Sequence, residues 1–325
     1  MSFHAALHSA RELNRIDVAA AVITRADGSF LLAQRPAGKA YAGYWEFPGG
    51  KIESGELPLA ALARELHEEL GIHVRLAYPW LTRDYDYEHA AVRLKFFRVV
   101  EWSGTPHGRE NQVFSWQTPD NVSVAPLLPA NAPIMRALCL PTVYGITHSG
   151  DFAQGDFMPR LEGALKKGLR LIQVREKGMK PADLVSFLKD VVRRAHASGA
   201  RVLLNGNAEL ARQAGADGVH LTSSELMALA HRPPAALVGA SCHNERELAR
   251  AVSIDVDFVV LGPVRATPSH PDTPELGWSR FAALIADYYL PVYALGGLTG
   301  PDMELAMRSG AHGISMMRGA WQSAG

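Results

Sequence analysis

The chain has 325 residues, and its 33 lysines and arginines balance its 33 aspartates and glutamates. That length exceeds one ordinary domain, so two domains are predicted. The neutral balance excludes the strong basic field of nucleic-acid-binding proteins, and no apolar run is long enough to span a membrane. The two cysteines are far apart and give no disulfide framework, which favours a cytoplasmic protein. Residues 1–15 lack the apolar core of a signal peptide and form a predicted N-terminal extension.

The first predicted domain covers residues 16–140 and begins with two apolar segments. Asp17–Ile23 and Phe30–Ala33 have the composition of strands, and Asp27-Gly28 between them is a turn signal. Together these features predict a hairpin. Further strands are predicted at 81–87, 92–100 and 113–116.

A helix is predicted within the stretch from Gly50 to Ile72. Pro58 suits the first turn of a helix, because its missing N–H costs nothing there, and Gly71 suits a left-handed helix end. One face of this helix is apolar and is expected in the core. Its residues are Leu59, Leu62, Leu66 and Leu70.

Three glutamates on the neighbouring face of this helix indicate a chemical role. Glu65, Glu68 and Glu69 are three and four residues apart, so they share one face. Packed carboxylates repel one another unless a cation lies among them, and hard oxygen ligands suit Mg²⁺. An acidic face exposed to solvent is the simpler interpretation of three glutamates alone. The metal-binding interpretation is favoured by the residues that accompany them in register, which are Gly50, Glu56, Arg64 and Gly71.

The pattern from Gly50 to Ile72 matches the Nudix box, and the domain resembles the MutT-type Nudix hydrolases. The resemblance implies an α/β/α sandwich with a mixed sheet, and it implies Mg²⁺ as cofactor, with Mn²⁺ as an alternative. Arg64 would pair with Glu68 one turn further on and orient it. The implied metal ligands are Glu65, Glu68, Glu69, the Gly49 carbonyl and Glu110, a loop residue that would also act as the base.

The resemblance also implies that Arg35, Glu46 and Asn131 bind the substrate. Arg35 would meet a phosphate, and an exposed surface arginine is the alternative. Asn131 ends a Pro-Ala-Asn segment and would read a base edge, because its amide offers both a donor and an acceptor. The alternative for Asn131 is a helix cap. Trp45 and Phe47 are expected in the core.

The implied reaction converts 8-oxo-dGTP and water to 8-oxo-dGMP and diphosphate. Metal ions would neutralise the phosphate oxygens, and a glutamate or the metal would activate water. The reaction would remove a mutagenic precursor of DNA replication from the nucleotide pool. The stretch from Arg83 to Ala91 departs from MutT, and because it can line the base pocket it bears on guanine specificity.

The second predicted domain covers residues 141–325 and alternates short apolar runs with helical stretches. Eight alternating strands and helices predict a (β/α)₈ barrel, whose sites lie on the loops after the strands. The predicted strands are Val143–Ile146, Leu169–Val174, Val202–Leu204, Gly218–Leu221, Leu237–Ala240, Phe258–Leu261, Val292–Leu295 and Gly313–Met316.

This domain resembles thiamine-phosphate synthase and its TenI-type relatives over nearly all of 142–320. The matching stretches include QVREK at 173–177, GASCH at 239–243 and ALGGL at 294–298. The resemblance implies that Arg175 and Lys177 meet pyrophosphate and that the amide of Gly297 meets a thiazole phosphate. The other implied ligand-binding residues are Asn205, His243, Thr267, Gly296 and Arg318.

Several positions depart from the synthase pattern. Gly206 stands where an aspartate would bind Mg²⁺, and Glu225 is a conservative match to the second acidic ligand. His270 replaces a lysine, and Arg318 replaces a serine of the phosphate loop. His243 stands where TenI-type tautomerases use a histidine, although synthases often have one as well. Three interpretations stay open: a weak synthase, a tautomerase-like enzyme, or a module that binds a phosphorylated thiazole-like ligand without turnover.

The fusion of the two domains suggests an alternative function for the whole chain. In that alternative, the Nudix half hydrolyses hydroxymethylpyrimidine diphosphate and the barrel is a thiazole tautomerase or a weak thiamine-phosphate synthase. Under either function the expected partners are small phosphorylated molecules, with neither nucleic acid nor membrane.

Overall fold

The computed structural model describes residues 15–109, 112–153, 155–266 and 274–322. The chain divides into two compact units, one built mainly from the residues up to Cys139 and one mainly from Leu140 onward. The first contains one mixed and one antiparallel sheet, and the second is a closed parallel barrel, so the predicted fold class is confirmed. No helix in the described ranges is long and apolar enough to cross a membrane.

The first unit contains seven described strands and two described α-helices. In chain order they are β1 (Ile16–Ile23), β2 (Phe30–Gln34), β3 (Trp45–Glu46), β4 (Gly49–Lys51), α1 (Pro58–Leu70), β5 (His73–Asp86), β6 (Ala91–Ser103), β7 (Phe114–Gln117) and α2 (Ala132–Leu138). One sheet has the order β4-β1-β6-β5, and the other has the order β3-β2-β7. The first sheet is mixed, because β1 runs parallel to β6 and antiparallel to β4.

The predicted hairpin of β1 and β2 is wrong. The two strands belong to different sheets and are linked by a bridge between Thr24 and Phe30. Residues Ala19–Ile23 of β1 are buried on both faces, which is typical of a central strand. Such a strand takes a partner on each side, and here those partners are β4 and β6.

Strand β5 (His73–Asp86) begins earlier than the predicted strand at 81–87, and it includes Pro79. Proline normally breaks a strand, but here it lies beside an irregularity in the pairing register between Pro79 and Thr82. β5 is also an edge strand, where a missing N–H is tolerated.

Helices α1 and α2 cover opposite faces of β1. Leu62 and Leu66 of α1 share a core cluster with Ala19 and Ala21, whereas α2 packs in a second cluster with Ala20 and Val22. α1 ends where Gly71 adopts φ 67° and donates its N–H to the His67 carbonyl, as the sequence predicts. Leu59, in the first turn of α1, is 44% exposed, so its predicted burial is wrong.

The second unit is a barrel of eight parallel strands. The strands are β8 (Val143–Ile146), β9 (Leu171–Val174), β10 (Arg201–Asn205), β11 (Gly218–Leu221), β12 (Leu237–Cys242), β13 (Phe258–Leu261), β14 (Val292–Leu295) and β15 (Gly313–Met316). Their closed order is β10-β11-β12-β13-β14-β15-β8-β9. The described α-helices of the barrel are α3 (Phe157–Lys166), α4 (Pro181–His196), α5 (Ala208–Gln213), α6 (Ser223–Ala228), α7 (Glu245–Ser253), α8 (Gly277–Ile285) and α9 (Met303–Arg308).

Two layers of packing support the barrel. Its interior is filled by large side chains that include Tyr144, Phe258 and Tyr293. Outside the strands, α3 and α4 contribute Leu161 and Leu188 to a separate apolar cluster. This packing fixes the carboxyl ends of the strands, where barrel sites are built.

Candidate active site and ligand-binding site

The glutamates of α1 lie against the glycines of β4. A Cβ atom on Gly50 would lie 2.1 Å from Cδ of Glu65, so only glycine lets this carboxylate approach the strand. Gly49 donates its N–H to Oε2 of Glu69 over 3.4 Å. The two glycines therefore determine where two of the three carboxylates stand.

All three glutamates of the helix face line one cavity, which we call the glutamate cavity. Burial and the neighbouring carboxylates of Glu46 and Glu65 raise the pKa of Glu69 to about 7. Such crowding of acidic groups is what a bound cation relieves. The residues that line the cavity are Glu65, Glu68, Glu69, Pro36, Lys39, Arg109 and Gln112.

The donor set of the glutamate cavity fits a hard divalent cation in its chemistry, since it consists of carboxylate oxygens. Within the described ranges, no three His, Cys, Asp or Glu side chains converge as a metal-binding group. Glu110 lies outside the described residues, but Arg109 and Gln112 on either side of the gap both line the cavity. The ligand set, including the Gly49 carbonyl, stays a prediction.

Arg64 links the glutamate face to the loop before α1. Its Nε and Nη2 each lie 3.0 Å from an oxygen of Glu56, and its Nη2 donates to the Lys51 carbonyl. Its Nη1 is 2.8 Å from Glu65 and 3.4 Å from Glu68. These bonds raise the pKa of Arg64. The predicted pairing with Glu68 is therefore the longest of these contacts, and Glu56 is the main partner.

Arg35 and Glu46 pair with each other. Nη1 of Arg35 lies 2.7 Å from both Glu46 oxygens, and its Nε donates to the Ala40 carbonyl over 2.7 Å. Burial raises the pKa of Glu46, although Arg35 acts in the opposite direction. Arg35 therefore holds the base of the loop that follows β2, and its contact with a substrate phosphate stays a prediction.

Asn131 does not act as a helix cap. It precedes α2, but its side chain makes no capping hydrogen bond to the described residues. The residue is buried, and its Nδ2 donates to the Trp45 carbonyl over 3.4 Å. Trp45 and Phe47 are buried in the core as expected.

The predicted barrel residues gather at one end of the barrel, because each follows or ends a parallel strand. Arg175 and Lys177 follow β9, Asn205 ends β10, His243 follows β12, Gly296 and Gly297 follow β14, and Arg318 follows β15. Thr267 and His270 lie outside the described residues.

Arg175 and Lys177 form a pair of cations without an anion. Within the described ranges, neither side chain makes a hydrogen bond or an ion pair. Burial lowers the pKa of Arg175, and the charge of Arg175 lowers the pKa of Lys177. Glu176 does not neutralise them through a bond, since its carboxylate accepts from Thr147 and Ser149. The pair therefore suits an anionic ligand.

The loop after β14 contains two adjacent glycines. Gly296 is buried and has φ 133°, and a Cβ atom there would lie 2.6 Å from the Val264 amide nitrogen, so only glycine fits. Gly297 is exposed and has φ 62°, a left-handed conformation that favours glycine. The exposed backbone at Gly297 can approach a phosphate.

His243 and Arg318, by contrast, already have partners. His243 contacts Glu247 over 2.9 Å, and Arg318 donates to Asp151 over 3.0 Å.

Family comparisons match both units. A model described as the NUDIX domain matches residues 14–138, and one described as thiamine monophosphate synthase matches 143–320. The CTP pyrophosphohydrolase of Escherichia coli (strain K12) is 39% identical over 125 residues, which cover 38% of this chain and 92% of that protein. The 8-oxo-dGTP diphosphatase of Haemophilus influenzae is 38% identical over 123 residues, which cover 38% of this chain and 90% of that protein. The thiamine-phosphate synthase of Streptococcus suis is 32% identical over 184 residues, covering 54% of this chain and 80% of that protein.

The chain is a Nudix hydrolase joined to a member of the thiamine monophosphate synthase family. Both resemblances drawn from the sequence are confirmed, and the Nudix domain makes the chain a hydrolase.

The synthase-family barrel does not supply a carboxylate set for a metal within the described ranges. Gly206 offers no side chain, and Glu225 closes a capping box with Thr222 at the start of α6. A Cβ atom on Gly206 would lie 3.2 Å from Oε1 of Glu225, so the one remaining carboxylate faces the position of the absent one.

A chain of hydrogen bonds that the sequence pattern did not predict runs through the interior of this barrel. It joins Asn205 Nδ2 to Gln173 Oε1 (3.2 Å), Gln173 Nε2 to the Tyr144 hydroxyl (3.2 Å), that hydroxyl to His220 Nδ1 (3.2 Å), and His220 Nε2 to Ser241 Oγ (2.9 Å). A histidine within the apolar run of β11 was the signal that could have revealed it.

The direction of this hydrogen-bond chain is fixed at Asn205. Nδ2 of Asn205 also contacts the His220 carbonyl, so this atom is a donor. Gln173 then accepts from Asn205 and donates to Tyr144, and the Tyr144 hydrogen is left for Nδ1 of His220. His220 donates from Nε2 to Oγ of Ser241. The hydroxyl hydrogen of Ser241 is therefore not used in this chain of hydrogen bonds and can be donated to a ligand. Burial, together with the charge of Arg175, lowers the pKa of His220 to about 3, so its ring is neutral.

We expect Glu56→Gln to lower kcat/KM of nucleotide hydrolysis roughly tenfold, because Arg64 loses the partner that holds it beside Glu65. In an Arg64→Lys background Glu56→Gln should have little further effect, since lysine cannot bond Glu56 through two nitrogens while it bonds Glu65. Steady-state kinetics of the four proteins would measure this. Independent, multiplicative effects would contradict a shared network.

His220 should give the barrel a pH-dependent stability. Its folded pKa of about 3 lies below the ordinary value of 6.5, so between these values only the unfolded state binds the proton. Stability should therefore fall as pH drops below 6.5, by about 1.4 kcal/mol per pH unit from this residue. We expect His220→Gln to remove that slope.

Urea unfolding of the full chain at pH 7, 6 and 5 would test this, with the exposed His231→Gln as the matched control. A difference between wild type and His220→Gln that stays constant with pH would refute the assignment.

Proposed function

We propose that the Nudix domain is a Mg²⁺-dependent nucleoside triphosphate pyrophosphohydrolase that converts 8-oxo-dGTP to 8-oxo-dGMP and diphosphate. The observation that carries this proposal is the glutamate cavity, in which three carboxylates of α1 face one space. The names of two relatives, a CTP pyrophosphohydrolase and an 8-oxo-dGTP diphosphatase, support the same reaction class.

The residues of the glutamate cavity divide into ligands and cations. Glu65, Glu68 and Glu69 would hold Mg²⁺ with the Gly49 carbonyl. When bound, the metal neutralises phosphate charge and lowers the pKa of water. Lys39 and Arg109 line the same cavity, so they are placed to contact the phosphates.

Two further residues have proposed roles beside the cavity. Glu110 is the proposed base. Arg64 positions Glu65 by bonding it and Glu56 together.

Asn131 supports recognition of the oxidised base. Its Nδ2 donates one hydrogen to the Trp45 carbonyl, and its amide oxygen is an acceptor. In 8-oxoguanine N7 carries a hydrogen, whereas in guanine N7 is an acceptor. The amide oxygen of Asn131 can therefore accept from N7 of the oxidised base and not from N7 of guanine.

For the barrel we propose binding of a phosphorylated thiazole-like ligand. Support comes from Arg175 and Lys177, which have no anionic partner in the described ranges, and from the exposed backbone at Gly297. The Ser241 hydrogen would donate to an acceptor on that ligand. No step through a metal is proposed for the barrel, because Glu225 is the one carboxylate that the described ranges place beside Gly206.

The family of the barrel favours a second candidate function for the Nudix domain. A neighbouring domain of the thiamine monophosphate synthase family makes hydroxymethylpyrimidine diphosphate a reasonable alternative substrate. That molecule also carries a diphosphate for the glutamate cavity.

We expect diphosphate or phosphate release with Mg²⁺ from 8-oxo-dGTP in preference to dGTP and hydroxymethylpyrimidine diphosphate. Glu68→Gln should abolish the release, whereas Glu209→Gln, on an exposed face of α5, should not. A preference for the pyrimidine diphosphate would establish the alternative. Equal rates for the wild type and Glu68→Gln would rule out the glutamate cavity as the active site.

We expect Asn131→Ala to lower the preference for 8-oxo-dGTP over dGTP by roughly tenfold, because one base-edge hydrogen bond is lost. The ratio of the two kcat/KM values measures this. Asn131→Asp retains an acceptor and should keep more of the preference. A ratio unchanged in Asn131→Ala would remove the assigned role.

A further inference from the structure

Arg318 and Asp151 form an ion pair at the rim of the barrel. Arg318 begins the turn that follows β15, and Asp151 lies in the turn that follows β8. Nε of Arg318 donates to Oδ2 of Asp151 over 3.0 Å. Because Arg318 stands where the synthase pattern has a serine, the resemblance does not account for this ion pair.

The Arg318–Asp151 pair lies between the two features of the barrel that suit an anionic ligand. In the closed order of the barrel, β14, β15, β8 and β9 are consecutive neighbours. Gly297 follows β14, and Arg175 and Lys177 follow β9. Since the carboxyl ends of parallel strands meet at one end of a barrel, the pair occupies the two positions between the exposed backbone of Gly297 and the cations after β9.

The turn after β15 packs against the loop after β14. A Cβ atom on Gly319 would lie 3.3 Å from the carbonyl oxygen of Leu298. Gly319 follows Arg318, and Leu298 follows Gly297. This approach therefore brings the backbone that carries Arg318 next to the exposed backbone at Gly297.

The turn that contains Asp151 is bonded to the loop after β9. It begins at Ser149, whose N–H and hydroxyl group donate to Oε2 of Glu176 over 3.0 and 2.8 Å. Glu176 stands between Arg175 and Lys177 in the sequence. The position of Asp151 is therefore fixed to the loop that carries these two cations.

The ion pair leaves most of the Arg318 guanidinium group available. A guanidinium group has five N–H donors, and Asp151 accepts from the one at Nε. Among the residues that the structure describes, neither Nη atom of Arg318 has a hydrogen-bond or ion-pair partner. The Arg318 side chain is 58% exposed, whereas that of Asp151 is 21% exposed. The two Nη groups can therefore bind an anion while Asp151 holds Nε.

Asp151 is held in its charged form by its neighbours. The Arg318 guanidinium is the main cause that lowers the pKa of Asp151, and His148 acts in the same direction. Nδ1 of His148 lies 2.9 Å from Oδ1 of Asp151, the oxygen that Arg318 does not use. Two side chains therefore contact the carboxylate that fixes Nε of Arg318.

We propose that Arg318 binds the phosphate group of the barrel's ligand through its two Nη groups, and that Asp151 is the positioning residue that orients it. The proposal rests on the proposed binding of a phosphorylated ligand by the barrel, and it adds Asp151 to that site. A guanidinium fork bonds two phosphate oxygens at once, which the hydroxyl group of a serine cannot do. The orientation of the fork, set at Nε, therefore matters for affinity.

The test is calorimetric titration of the full chain with inorganic phosphate, in the absence of divalent metal. We expect Arg318→Met to raise the dissociation constant roughly tenfold, because hydrogen bonds from a charged group are lost. Asp151→Ala should raise it roughly threefold, since the guanidinium group is no longer held. Asp151→Asn retains an oxygen that can accept from Nε, so this variant should bind phosphate at least as tightly as the wild type.

Two comparisons separate positioning from a general effect on the fold. In an Arg318→Met background, Asp151→Ala should cause no further loss, because no guanidinium group is left to position. The matched control is Asp190→Ala, which removes the exposed 3.0 Å pair with Arg193 in α4 and should leave the dissociation constant unchanged. Tighter phosphate binding by Asp151→Ala would overturn the proposal, because Asp151 would then compete with the ligand.

Arg175→Met distinguishes failure of this proposal from failure of the proposed ligand site. If Arg175→Met weakens phosphate binding and Arg318→Met does not, the ligand site stands and the role of Arg318 is wrong. If Arg318→Met and Asp151→Ala weaken binding and Arg175→Met does not, the Arg318 site stands and the assignment of Arg175 fails. Absence of phosphate binding by the wild type would overturn both.

Discussion

The close approach of the Glu65 carboxylate to the backbone of Gly50 is the contact on which the Nudix site depends. It requires a glycine in β4, a helix seated on β1 by Leu62 and Leu66, and β4 paired to β1 in fixed register. Arg64 then ties the same carboxylate to the preceding loop. A shift of α1 by one residue would rotate all three glutamates away from the cavity, because a helix turns about 100° per residue.

The candidate phosphate sites of the two domains carry opposite charges. The Nudix cavity brings three carboxylates together, and the burial of Glu69 with the charges of Glu46 and Glu65 raises the pKa of Glu69, so a cation is the complementary ligand. The barrel places Lys177 near the buried Arg175; burial lowers the pKa of Arg175, and the charge of Arg175 lowers the pKa of Lys177, so an anion is the complementary ligand. In each case the protein holds like charges at a cost that a ligand of opposite charge removes.

The sequence predicts best those elements whose pattern reflects burial along one segment. Parallel barrel strands are buried on both sides, so short apolar runs locate them, and α1 has clear start and stop signals. Strand pairing is a property of the whole sheet, which is why the hairpin of β1 and β2 was wrong. The Arg35–Glu46 pair and the Tyr144–His220 contact join residues from separate strands, and no local pattern encodes such contacts.

The departures from the synthase pattern change which chemistry the barrel can support. Neutralising a diphosphate requires several positive charges, and Gly206 offers no side chain where the resemblance to the synthases implies an aspartate ligand for Mg²⁺. Glu225 forms a capping box with Thr222 at the start of α6. Arg175, Lys177 and the bare backbone at Gly297 are still present, and these suit a monophosphate. These groups support the proposed binding of a phosphorylated thiazole-like ligand in the barrel.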